Sequence, residues 1–227
     1  MPSLTDLKII TRSDITHNLF SSEGRPVVAG QDDTYKGDHG NSSEYVPACG
    51  EDIMAREKTM KPPHRPSELL DTLKRLGVRL AVTVPDGWLS DVLVRIEQEP
   101  SMSLIRATHE EEALAISCGA RLGGTRTVLI IQNVGLLTMG AGIVSLAQRY
   151  QFPLLILASY RGTPEDATYY HIPKGRVTEP VLRGLGLPYA LAKSVRPIGP
   201  QVEEAATYAE EASSPFVLLL GREDIKW

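Results

Sequence analysis

With 227 residues, 42% of them apolar and 23% charged, the chain can bury one good hydrophobic core, and a second full domain would be crowded. A net charge of −4 and a pI near 5.8 argue against nucleic acid as the main partner, because neutralising phosphates needs a basic face. No apolar run approaches the roughly 20 residues of a membrane span, and the start, MPSLTDLKIITRSD, lacks a signal-peptide core.

The chain divides near residue 65. Before it, the tract SSEGRPVVAGQDDTYKGDHGNSSEYVPACGED is rich in Gly, Ser, Asp and Pro without apolar periodicity, so residues 1–65 read as an extended or disordered arm and residues 66–227 as an α/β domain. The short apolar patches LKII and HNLF in the arm could dock onto another chain. Cys49 lies in this polar tract and Cys118 in an apolar helix. No disulfide framework is expected, and a reducing, cytoplasmic setting is.

In chain order, PSELLDTLKRLGV carries Leu69, Leu70, Leu73 and Leu76 at helical spacing and predicts a helix ending at Gly77. RLAVTVP is a short β-branched strand stopped by Pro85, WLSDVLVRIEQ resumes helical spacing, and SLIRAT is the next strand. THEEEALAISCGARLGG (108–124) then opens a helix with Thr108 as N-cap and Glu111 as its capping-box partner. That leaves Glu110 without a structural task, on a face of small residues (Ala113, Ser117, Ala120) that a neighbouring backbone, subunit or flat ring could approach. The competing reading is that three acids in a first turn complement the helix dipole.

Strand TVLIIQ leads into the polar elbow Gln132-Asn133-Val134-Gly135 and a predicted helix, GLLTMGAGIVSLAQRY. Gln132 and Asn133 either face a ligand or cap that helix. Strand PLLILAS is followed by a long loop, Tyr160 to Arg176, that gathers Arg161, His171, Lys174 and Arg176; Glu165 and Asp166 beside them keep a solvated loop open as a reading. Helices EPVLRGLG and QVEEAATYAEEA and strand PFVLLLG complete the pattern. Nearly continuous apolar strands alternating with helices predict a parallel sheet covered by helices on both faces, with ligands at the strands' carboxyl ends. Pro85, Asp86, Glu110, Gln132, Asn133 and Ser159 all fall there.

The ordered set THEEEALAISCGARLGG, TRTVLIIQNVGLLTMGAGIVSLAQRYQFPLLILASYRG and HIPKGRVTEPVLRGLGLPY resembles the pyrimidine-binding domain of thiamine-diphosphate-dependent 2-oxoacid decarboxylases over residues 66–227. Within that group it is most similar to the alpha subunit of sulfopyruvate decarboxylase and the matching half of phosphonopyruvate decarboxylase. The resemblance implies that Glu110 is the acid that hydrogen-bonds the aminopyrimidine ring and drives it toward its imino form, a role that burial raising its pKa would suit. It implies that Gln132, Asn133 and Gly135 line the cofactor. It further implies that Pro85, Asp86, Arg161, His171, Lys174 and Arg176 meet a small anionic 2-oxoacid carrying sulfonate or phosphonate.

The chain departs from the family pattern Gln-Asn-Ser-Gly-Leu-Gly-Asn at Val134, Leu137 and Thr138, which bears on substrate more than on cofactor. The family's Gly-Asp-Gly metal signature is missing; Gly37-Asp38-His39-Gly40-Asn41 has the wrong spacing, and no metal ligands are expected in this chain. Magnesium and the diphosphate are therefore expected on a separate beta subunit, in a hetero-oligomer. Two further readings stay in view: a non-catalytic interaction or regulatory subunit that keeps the fold, and a nucleotide-binding module, against which the missing Gly-rich turn counts.

Overall fold

The computed structural model describes residues 65–225. The arm, except Arg65, lies outside them, as do Cys49 and the Gly37–Asn41 stretch. The order of elements is α1 (Arg65–Arg75), β1 (Leu80–Thr83), α2 (Ser90–Glu97), β2 (Ser103–Arg106), α3 (Glu110–Leu122), β3 (Thr127–Gln132), α4 (Asn133–Thr138), α5 (Gly140–Gly142) and a π-helical turn (Ile143–Gln148). There follow β4 (Leu155–Ser159), a 3-10 turn (Tyr169–His171), α6 (Ile172–Gly184), β5 (Tyr189–Leu191), α7 (Ile198–Ala212), β6 (Phe216–Leu220) and α8 (Arg222–Ile225).

All strand pairings are parallel, in the order β2-β1-β3-β4-β6-β5. The central strands read as apolar runs because both faces are covered: every residue of β4 and β6 is buried, whereas the edge strand β2 is largely exposed. Alternate residues feed two cores. Val128 and Ile130 join Leu69 and Leu73 of α1, Ile96 of α2 and Val202 of α7, while Leu129 and Ile131 join Leu114 of α3, Leu136 of α4, Ile143 and Leu182 of α6. Each such side chain contributes roughly 1.5–3 kcal/mol by leaving water.

The chain leaves β1 for β2 on one side and returns across it to β3 on the other. A reversal of this kind, here at the carboxyl ends of β1 and β3, is where parallel α/β sheets bind ligands. Parallel register brings Gln132, Ser159 and Leu220 side by side along this edge.

Several sequence expectations need correction. The uniform helix over 135–150 is broken into α4, α5 and the π-helical turn, because Gly140 and Gly142 support helix poorly and the latter is packed hard on α3: a Cβ on Gly142 would lie 3.1 Å from Leu114 Cδ2. The loop after β4 is shorter than expected, since α6 begins at Ile172 with Pro173 in its first turn, a position where proline's missing N–H costs nothing. Strand β5 carries too short an apolar signature, Tyr189–Leu191, to stand out in the sequence.

Candidate active site

The helix that opens with the three acids uses them differently from the expected arrangement. The N-cap is His109, in extended conformation, and it is Glu112 that reaches back to Thr108, accepting from its N–H at 2.8 Å and its hydroxyl at 2.7 Å. These bonds hold the Glu112 carboxyl below the usual carboxylate range. Glu111 is exposed, so the capping-box role assigned to it belongs to Glu112, one residue on. The small face of α3 is also spent within the chain: Ala113 and Ser117 are fully buried, with Ser117 Oγ donating to the Ala113 carbonyl.

Glu110, the first residue of α3, remains without a structural partner of that kind. Its side chain lies across Gly135 of α4 so closely that a Cβ there would fall 2.3 Å from Glu110 Cγ and 2.9 Å from its Cδ and Oε1. Only glycine fits, because any side chain would occupy the carboxyl's place. Thr138 Oγ1 stands 3.5 Å from Glu110 Oε2 while donating its hydrogen to the Gly135 carbonyl at 3.0 Å. The carboxyl is half-buried rather than enclosed by apolar groups, so most of its lone pairs are open to a ligand.

Beside it, at the ends of β1, β3 and β4, four ionisable side chains form one buried network. Asp86 Oδ1 accepts from Arg161 Nη2 at 2.8 Å and from Gln132 Nε2 at 3.1 Å, and its Oδ2 accepts from the Trp88 N–H at 2.9 Å. The Arg161 guanidinium lies 4.1 Å from the centre of the Trp88 ring, a cation–π contact. Its other side faces Asp166, with Nη1 3.7 Å from Oδ1. Asp166 Oδ2 in turn meets His171 Nδ1 at 2.7 Å and accepts from the Gly162 N–H at 3.1 Å, while Oδ1 accepts from the Thr168 N–H at 3.1 Å. Burial pushes the Asp166 carboxyl up, but the bonds from His171, Gly162 and Thr168 outweigh it and hold the group below its ordinary value.

Asn133 is the latch for this arrangement. Fully buried, it donates to the Arg161 carbonyl at 3.1 Å and the Thr178 hydroxyl at 2.8 Å and accepts from the Arg161 N–H at 3.3 Å. Its amide is thus used inside the chain, and the ligand-facing role expected for it does not match this geometry. Gly162 and Gly175 close the loop onto α6: a Cβ on Gly162, at φ +83°, would be 2.2 Å from the His171 carbonyl oxygen, and one on Gly175 would be 2.6 Å from that of Gly162.

The sequence-predicted residues therefore fall into three sets. Glu110 and Gly135 meet each other; Asp86, Gln132, Asn133, Arg161 and His171 share the network; Pro85 is exposed at its margin. Lys174 and Arg176 lie on α6, the first half-buried with its ammonium 6.0 Å from the Tyr170 ring centre and the second exposed. Asp166 was legible only as an acid that would keep the loop in water; it is instead buried, as is Arg161. Trp88 and Thr178 gave no signal beyond their place in apolar patterns.

The open carboxyl of Glu110 over a glycine floor fits the pyrimidine end of thiamine diphosphate, which needs a carboxyl group beside a ring nitrogen and room for a flat ring. Among the described residues no group of three or more metal-ligating side chains comes together. Among the described residues, too, no helix is long and apolar enough to cross a membrane.

Comparison with known proteins identifies the family. Residues 67–178 match the N-terminal TPP-binding domain of thiamine pyrophosphate enzymes. The chain is 31% identical to the sulfopyruvate decarboxylase subunit alpha of Methanocaldococcus jannaschii over 151 residues, which is 66% of this chain and 89% of that one. It is 29% identical to the sulfopyruvate decarboxylase of Methanosarcina acetivorans over 67% of this chain but only 39% of that protein. To the phosphonopyruvate decarboxylase of Streptomyces viridochromogenes it is 32% identical, over 51% of this chain and 30% of the other. The matched region runs from α1 into α6 and contains Glu110, Gly135 and the whole buried network. With its parallel α/β sheet and Glu110 set on Gly135, the chain belongs to the thiamine pyrophosphate enzyme family, on the branch that holds the sulfopyruvate decarboxylase alpha subunits.

Proposed function

We propose that this chain is the alpha subunit of a thiamine-diphosphate-dependent decarboxylase that converts a small acidic 2-oxoacid, of the sulfopyruvate or phosphonopyruvate type, to an aldehyde and carbon dioxide. The observation that carries the reading is the Glu110 carboxyl lying on Gly135 with Thr138 Oγ1, at 3.5 Å, as its one hydrogen-bonding neighbour among the described residues. Bound thiamine diphosphate supplies the electron sink that lets a 2-oxoacid lose carbon dioxide. With the cofactor bound, a Glu110 carboxyl oxygen would hydrogen-bond the pyrimidine ring, Gly135 would leave the ring room, and Gln132, fixed on Asp86, would border the same site. His171, Lys174 and Arg176 are the cationic or hydrogen-bonding groups left to meet the substrate's anions, because the charge of Arg161 is already matched by Asp86 and Asp166.

A beta partner supplies the rest. The shared stretch covers only 39% and 30% of two relatives that carry the decarboxylase name without a subunit designation. We assign the diphosphate and magnesium to that partner, which would also complete the burial of Glu110. Titration calorimetry and an aldehyde-release assay on this chain alone, on the partner alone and on the mixture test the proposal. Weak cofactor binding and no turnover by the chain alone, with both restored on mixing, is the expected result. Tight magnesium-dependent binding by this chain alone would overturn the shared site, and a stable complex without turnover on any acidic 2-oxoacid would make the chain an interaction subunit.

A further inference from the structure

We propose that Asp166 is a positioning residue for His171: it fixes the imidazole with Nδ1 protonated and leaves Nε2 as the one nitrogen offered to an anionic ligand, while Arg161 serves as a buried counter-ion. The fixing is geometric. Asp166 cannot follow the ring, because backbone N–H groups at Gly162 and Thr168 hold one oxygen each. An ionised carboxylate only accepts hydrogen bonds, so at 2.7 Å His171 Nδ1 must be the donor. The backbone that carries the ring is held as well: the His171 N–H donates to the Thr168 carbonyl at 3.0 Å and its carbonyl is pressed against Gly162, while the Tyr170 ring meets the imidazole edge-on at 4.6 Å.

Nε2 is in the opposite condition. Among the described residues it has no hydrogen-bond partner, and it is not among the buried atoms left unpartnered, which are Ser159 Oγ, Arg161 Nε and Thr163 Oγ1. It therefore opens out of a residue that is otherwise 7% exposed. Charge sets what it offers. Asp86 and Asp166 against Arg161 leave the network one negative charge in excess, which an imidazolium at His171, donating from both ring nitrogens, would balance. The ligand class is an oxyanion, carboxylate or sulfonate or phosphonate. That the oxyanion belongs to a 2-oxoacid rests on the function proposed above; the tautomer does not.

The test is nitrogen-15 NMR of the histidine side chains of the full chain without cofactor, across a pH titration, with His171→Gln identifying the resonance among the five histidines. The expected result is Nδ1 protonated on both sides of the titration and Nε2 alone gaining and losing its proton. Asp166→Asn should release the ring to the Nε2–H form when neutral and, in the assembled enzyme, raise KM for an anionic 2-oxoacid roughly 10- to 100-fold, the scale seen when the orienting partner of a metal-bound histidine is removed, with a smaller change in kcat. A wild-type spectrum showing neutral His171 protonated at Nε2 overturns the proposal, whether or not the variant folds. A correct tautomer with unchanged KM in Asp166→Asn overturns the ligand-facing role alone and leaves the decarboxylase reading intact.

Discussion

Glu110 and Gly135, from two different helices, share one volume: the glutamate's Cγ sits 2.3 Å from where a β-carbon on Gly135 would be. Gly135→Ala is therefore a way to move the carboxyl without changing it. The variant should fold, since α4 accepts alanine readily, yet lose decarboxylation by orders of magnitude in the assembled enzyme, as Glu110→Gln should through loss of an exchangeable proton. Circular dichroism and aldehyde release check it together. Full activity in Gly135→Ala would show that the carboxyl need not lie where it does.

The three acids of the first turn should separate cleanly. Glu111→Gln, on an exposed residue, should alter neither melting temperature nor rate. Glu112→Ala should lower the melting temperature, because the Thr108 N–H and hydroxyl lose their acceptor, and should leave the rate per folded enzyme close to wild type. Thermal scans beside the activity assay distinguish the three, and a Glu112 variant as inactive as Glu110→Gln would remove the special standing of Glu110.

How far the sequence reaches is visible in these same residues. The continuous apolar character of TVLIIQ, LILAS and FVLLL states a parallel sheet covered on both faces, and that is what forms. That Glu110 is not the capping acid was legible, although the acid that does cap was misjudged by one residue, a distance that depends on where the chain turns into the helix. The buried network was not legible. Asp86 and Arg161 lie 75 positions apart, and nothing local distinguishes a solvated Asp166 from one pinned by Gly162 and Thr168; pairing across a sheet is a property of topology, not of composition.

The Asp86–Arg161 pair makes a stability prediction. Both groups are about nine-tenths buried, so Arg161→Met strands two carboxylates and should cost about 3–5 kcal/mol, the usual penalty for breaking a buried pair. Chemical denaturation gives the number. A loss near 1 kcal/mol or less would mean that water reaches the network and that the charge of Arg161 is still available to a ligand.

Acid should expose Asp166. Its folded-state pKa lies below the ordinary 3.8, so its contribution is complete above that value and is lost as pH falls through the depressed one. The stability gap between wild type and Asp166→Asn should accordingly be constant at neutral pH and close only below about pH 4. Burial pushes Asp224 the other way, above 3.8, against its bonds from Gly221 and Arg65, so its contribution shrinks as pH rises through that raised value. Denaturation midpoints from about pH 2 to 4 on the two asparagine variants check both signs, and a gap for Asp166→Asn that stays fully open through that range contradicts the network as described.

Charge selection by α6 is the last expectation. Lys174 is half-buried beside Tyr170 and makes no ion pair with a described residue, and Arg176 is exposed on the same helix. Each follows His171 closely enough to lie on the helix that His171 caps. If the substrate's distal anion is held here, Lys174→Ala should lower kcat/KM for sulfopyruvate or phosphonopyruvate by an amount worth roughly 2–5 kcal/mol where the contact is desolvated, and change pyruvate far less. Arg176→Ala, in open solvent, should cost under about 1 kcal/mol. The ratio of specificity constants for charged and neutral substrates is the measurement. Equal losses on both substrates in the Lys174 variant would place the anion site on the partner subunit, because Arg161 is already matched within this chain and His171 alone offers a single donor.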